Sequence, residues 1–134
     1  MAYYPFAFSV VSPKLAWSEN GVIISNTGDL PANLEIVYNL SDISDIHLTL
    51  TERNSNNQLG VLTLEGISPI GDDKYLMINT QTQLIEGLDE NKQKTGNLYN
   101  RFIKSGDFFY PPLGTSVIKS TEQFISAQYT PLYY

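Results

Sequence analysis

The chain contains no cysteine, which removes disulfide cross-links, thiolate-bound zinc and thiol catalysis together, so stability must come from a packed core. No apolar run approaches the roughly 18 residues that cross a bilayer, and membrane insertion is not expected. The opening Met1-Ala2-Tyr3-Tyr4-Pro5-Phe6 lacks the basic and apolar regions of a secretory signal, so it reads as a protein made in the cytoplasm. Basic residues are scarce: eight Lys and Arg stand against fourteen Asp and Glu, a net charge of -6. The nearest approach to a basic cluster, Lys92, Lys94, Arg101 and Lys104, is interrupted by Asp89, Glu90 and Asp107. Nucleic-acid binding, which needs clustered cations to neutralise phosphates, is therefore not expected.

Catalytic signatures are missing too. The sequence holds no G-x-S-x-G elbow, no H-E-x-x-H and no P-loop, and histidine occurs once, at His47. His47 lies between Ile46 and Leu48 on the polar phase of a strand and reads as a solvated side chain. Asp72-Asp73 follows Gly71 in a turn, where carboxylates bond the backbone, and reads as turn chemistry rather than a glycosidase pair. Asp42 and Asp45 supply too few oxygens for calcium and read as a solvated turn. No enzyme activity, cofactor or metal is expected.

What the sequence does hold is apolar residues at strand spacing. With 42% hydrophobic and 16% charged residues over 134 positions, the chain is outside the composition of disordered proteins and has the size of one ordinary domain. Ile46, Leu48 and Leu50 alternate with His47, Thr49 and Thr51, and Leu34, Ile36 and Tyr38 alternate with Glu35, Val37 and Asn39, the period-2 signature of strands with one face buried. Strands are predicted at 22–25, 34–39, 45–52, 59–64, 75–79, 84–87, 97–99, 108–110, 117–120 and 125–129. Turn clusters separate them at 26–31, 54–58, 68–73, 89–96 and 111–116. A single helical turn is the alternative within 98–105, where Leu98, Phe102 and Ile103 are spaced for one. Short strands at regular intervals predict an all-β antiparallel sandwich, a single domain over 1–134, with 1–12 an edge strand or a former interdomain connection.

Aromatics carry the remaining signal, since exposed Tyr and Trp stack on sugar rings or anchor protein partners. Candidate binding residues are Trp17, Tyr110, Tyr133 and Tyr134, together with His47 and Arg53 on or just after one strand. Trp17 stands in the polar segment Pro13 to Gly21. It reads either as a plug for one end of the sandwich or as a binding side chain.

Three local patterns carry a resemblance: the turn Asn26-Thr27-Gly28-Asp29-Leu30-Pro31-Ala32, the strand end Ile78-Asn79-Thr80, and Phe108-Phe109-Tyr110 leading into Pro111-Pro112-Leu113-Gly114. In this order the chain resembles the C-terminal domain of the distal tail proteins of long-tailed bacteriophages. It departs from the family pattern at Asn79, where Asp is usual, at Leu113 between Pro112 and Gly114, and at Ser116 in place of Asn. The resemblance implies a galectin-like or jelly-roll sandwich in the tail tip or baseplate of a phage or prophage, contacting other tail or receptor-binding proteins. In that family a separate N-terminal domain forms the hexameric ring, so this chain would join a ring only together with such a domain. The second reading is a carbohydrate-binding module for host cell-wall glycan. Galectins place several polar residues on one sheet face, and here His47 and Arg53 are the ones in evident positions.

Overall fold

The computed structural model describes residues 8–68, 73–97 and 102–133. Among them are eleven strands: β1 (Phe8–Ser9), β2 (Val22–Asn26), β3 (Leu30–Asn39), β4 (Ile46–Glu52), β5 (Gln58–Glu65), β6 (Tyr75–Asn79), β7 (Leu84–Leu88), β8 (Lys94–Asn97), β9 (Ile103–Gly106), β10 (Gly114–Ser120) and β11 (Ser126–Tyr133). One turn of 3-10 helix, Leu40–Asp42, follows β3, with the Asn39 side chain accepting from the Ser41 amide. Tyr134, Asp72, Arg101, the first seven residues and most of the predicted 97–99 strand lie outside the described residues.

The strands form two antiparallel sheets, one in the order β1-β11-β3-β6-β7-β8 and the other in the order β2-β10-β4-β5-β9. Alternation decides what lies between them. Ile46, Leu48 and Leu50 of β4 are buried while His47, Thr49 and Thr51 point away, and Leu62 and Leu64 of β5 and Val22 and Ile24 of β2 follow the same rule. They meet Leu34, Ile36 and Tyr38 of β3, Leu76 and Ile78 of β6, Ile85 of β7 and Ala127 of β11 in one apolar core. The chain is an all-β antiparallel sandwich, as the period-2 pattern predicts.

The patterns at the turns are side-chain caps. Asn26 accepts from the Gly28 amide through Oδ1 (2.9 Å) and donates from Nδ2 to the carbonyls of Leu30 (2.9 Å) and Pro111 (3.1 Å), so it ties the β2–β3 turn to the segment entering β10. Asn79 accepts from the amides of Gln81 and Thr82, closing the β6–β7 hairpin. Thr80 binds the Leu34 backbone both ways, its Oγ1 accepting from the amide and its own amide donating to the carbonyl.

Three expectations are corrected. The aromatic run 108–110 is not a strand. Asp107 accepts the Phe108 amide, Phe109 turns into the core against Gly60, Tyr110 donates to the Thr80 carbonyl, and Pro111 and Pro112 offer no amide to a ladder. The described part of 98–105 is not helical: residues 103–106 form β9, paired with β5 from Glu65↔Ile103 to Leu62↔Gly106. Local spacing is overridden there by the open edge of β5. Gly106 ends the strand at φ +76°, where a Cβ would meet the Val61 carbonyl oxygen at 2.2 Å. Finally, pairing resumes within the predicted loop 89–96, since Lys94 already opposes Leu88 in β8. Asp89 tightens that turn by accepting from the amides of Asn91 and Gln93. At the other end, Phe8–Ser9 is a two-residue edge strand on β11, extended by bonds from the Val10, Ser12 and Leu15 amides to β11 carbonyls.

Candidate functional site

The structure brings Trp17 and His47 to one end of the sandwich and leaves Arg53, Tyr110 and Tyr133 apart. Trp17 packs its half-buried ring against the core and donates Nε1 to the Ser120 carbonyl at 3.0 Å. His47 stands on the outer face of β4 and is held by Glu122, which accepts from the His47 amide (2.7 Å) and pairs with Nδ1 (2.9 Å). That hydrogen bond to the carboxylate raises the imidazole pKa above its ordinary value. Both contacts converge on the turn after β10. Beneath it Ser120 Oγ lies 2.7 Å from the buried Tyr38 hydroxyl and donates to the Glu122 carbonyl at 2.7 Å.

A groove of about 610 Å³ opens beside this turn, lined by Ala16, Trp17, Asn39, Ile43, Glu122, Gln123, Phe124 and Ile125. Trp17 thus packs on the sandwich core and also borders this groove, whose lining includes amide and carboxylate side chains. Tyr110 borders a different groove, of about 520 Å³, with Phe108, Leu59 and Val61, and its hydroxyl donates to the Thr80 carbonyl while accepting from Gln83. Arg53 follows β4, exposed, with its amide donating to the Thr115 carbonyl. Tyr133 on β11 shares a 2.7 Å hydrogen bond with Thr27 Oγ1. The five nominated residues that are described do not form one site.

Sequence reasoning missed a third concavity, on the outer face of the six-stranded sheet. Val37 of β3, Met77 of β6 and Leu88 of β7 point away from the sandwich core yet are only 8%, 7% and 5% exposed, with Tyr75 packed against them. They floor a basin of about 310 Å³ whose walls include Lys14, Glu35, Lys92 and Lys94. Lys94 Nζ sits 3.4 Å from Glu86 Oε1 on the same face, and Lys92 Nζ lies 5.6 Å above the Tyr75 ring. The Asp89-capped turn sets this arrangement, placing Lys92 at φ 62°. The available signal was the unbroken apolar runs Ile36-Val37-Tyr38 and Leu76-Met77-Ile78, which mark strands covered on both faces.

No protein-family model matches the chain, and no curated protein sequence matches it. Among solved structures, its fold is similar to that of the Dit protein of phage SPP1, whose crystal structure is described as a paradigm of the hub adsorption apparatus in phages infecting Gram-positive bacteria. The superposition has a TM-score of 0.55 at 11% sequence identity and covers 94% of this chain and 47% of that one. The chain thus spans about half the length of the protein it resembles.

Proposed function

We propose that the chain is a structural component of a phage or prophage tail tip, a peripheral galectin-like sandwich that docks other tail or baseplate proteins and works by surface contact rather than bond-making chemistry. The observation that carries this reading is the extent of the fold likeness: nearly the whole chain follows about half of a phage hub protein. The same order of Asn26-capped turn, Asn79-capped hairpin and aromatic crossover that marks the resemblance in sequence is physically joined here, through Asn26 to Pro111 and Tyr110 to Thr80. A docking role asks for shaped faces, and the sandwich has several concave ones. The test is immunogold electron microscopy of phage particles released by the strain encoding the chain, with antibody raised against the purified protein. Label at the tail tip is the expected result; particles that stay unlabelled, or carry label on the head, overturn the proposal.

A second reading, a module for host cell-wall glycan, is favoured by one observation, the groove where Trp17 meets Asn39, Glu122 and Gln123. Titration with fragmented cell-wall polysaccharide, followed by Trp17 fluorescence, tests it. A saturable change that is abolished by Gln123→Ala, an exposed groove residue that leaves the fluorophore in place, supports a glycan site, and a flat response rejects it.

A further inference from the structure

The basin on the outer face of the six-stranded sheet carries an inference of its own, through its charge. The chain has eight Lys and Arg and a net charge of -6, yet three of those eight cations line this single cavity. Lys94 is engaged with Glu86, whose side chain is 9% exposed and whose Oε1 lies at ion-pair distance from Nζ without an aligned hydrogen bond. Among the described residues neither Lys14 nor Lys92 forms an ion pair, and the Lys92 ammonium lies over the Tyr75 ring. Glu35 is the one carboxylate on the wall. Two cations with no carboxylate partner thus overhang an apolar floor of Val37, Met77 and Leu88 on a protein that is otherwise acidic.

Volume limits the occupant. About 310 Å³ is at the small end of the roughly 300–1,000 Å³ typical of ligand sites, enough for an apolar side chain and its flanking backbone. In an extended peptide, residues two apart face the same side about 6.6 Å from one another, so a side chain seated on Met77 puts its i±2 neighbours at the rim.

We propose that this basin docks an extended segment of a partner protein that presents one apolar side chain with a carboxylate two residues to either side. The inference rests on the reading of the chain as a protein-docking tail component and names the chemistry of one partner. Lys14 and Lys92 receive the carboxylates, and the floor receives the apolar side chain. The Lys94–Glu86 pair stays intact and holds the β7–β8 edge of the basin.

The experiment is an NMR titration of the isotope-labelled full chain with acetyl-Glu-Ser-Leu-Ser-Glu-amide, and with acetyl-Lys-Ser-Leu-Ser-Lys-amide as the opposite charge. The acidic peptide is expected to give saturable amide shifts at Val37, Met77 and Leu88, at least about tenfold tighter than the basic one and weakened by salt. In Lys14→Glu/Lys92→Glu, whose exposed positions leave the core intact, the preference inverts. Equal binding of both peptides, saturable binding by neither, or shifts centred on the Trp17 groove would overturn the proposal. So would inorganic polyphosphate matching the acidic peptide at the same amides, since the apolar floor would then contribute nothing. Tail-tip labelling without peptide binding removes the basin alone; peptide binding by a protein absent from the tail removes the assembly reading alone.

Discussion

The buried hydroxyl pair under the β10–β11 turn makes a prediction whose sign is unusual. Ser120 has one hydroxyl proton, and it goes to the Glu122 carbonyl, so the 2.7 Å contact with Tyr38 is a bond in which the phenol donates. Burial raises the Tyr38 pKa well above the ordinary tyrosine range, which keeps that proton in place. Tyr38→Phe removes the donor, leaves Ser120 bonded to Glu122 and keeps the edge-on contact with the Phe124 ring, so it should cost about 1 kcal/mol. Ser120→Ala removes both hydrogen bonds and strands a fully buried phenol without an acceptor. Two lost bonds at about 1 kcal/mol each, plus a further 1 kcal/mol or more for the orphaned donor, bring its cost to about 3 kcal/mol. In the double variant the orphan is gone, and the cost falls back to about 2 kcal/mol. Adding Tyr38→Phe to Ser120→Ala should therefore stabilise the protein by about 1 kcal/mol. Urea unfolding followed by the fluorescence of the single tryptophan, whose indole bonds the Ser120 carbonyl, reports all three variants. If the double variant is less stable than Ser120→Ala, the assigned bond directions are wrong.

Truncating the core at Leu48→Ala or Ile78→Ala should cost about 2–5 kcal/mol each in the same assay, because both side chains are fully buried and their neighbours belong to regular strands that cannot collapse inward. Gly60→Ala is expected to destabilise by about 1–3 kcal/mol through overpacking, as the new methyl would lie 2.5 Å from Phe109 Cβ and 2.9 Å from two of its ring carbons, and urea unfolding checks it. His47→Ala should cost little near neutral pH, where the exposed pair with Glu122 is solvent-screened. Because the folded pKa of His47 is raised, the stability this pair adds is complete below the ordinary value of about 6.5 and is lost as pH rises through the folded pKa. The imidazole proton shift should titrate above that value and return to it in Glu122→Gln; an unchanged midpoint would dismiss the pairing.

Legibility followed the range of the interactions. The burial of Ile46, Leu48 and Leu50, and of Leu34, Ile36 and Tyr38, was readable because alternation is a local property of one strand. The cap at Asn26 lay in a predicted turn and the one at Asn79 at the end of a predicted strand, both within local reach, since an Asx side chain bonds its own backbone two residues on. The Phe108–Tyr110 segment misled because two of its rings answer to distant partners, Phe109 to Gly60 and Tyr110 to Thr80. β9 went unread because its apolar spacing fits a helix in isolation and only the edge of β5, some forty positions earlier in the chain, makes it a strand. The basin needs Lys14, Met77 and Lys92 at once, and no sequence window contains all three. Arg53, Tyr110 and Tyr133 were nominated on chemistry alone, and the register places them at separate margins.

The strand order also dictates when this protein can fold during synthesis. β10 sits between β2 and β4, and β11 sits between β1 and β3, so each sheet lacks an interior strand until residues 114–133 have been made. A nascent chain can form hairpins such as β4–β5 and β6–β7 and can pair β3 with β6, but β2 must wait for β10 and β3 for its second neighbour, β11. Until then their apolar edges are open to other growing chains. Interruptions of translation after β9 should therefore yield aggregates rather than a shortened sandwich, and the yield of soluble protein should depend on how quickly those final two strands emerge.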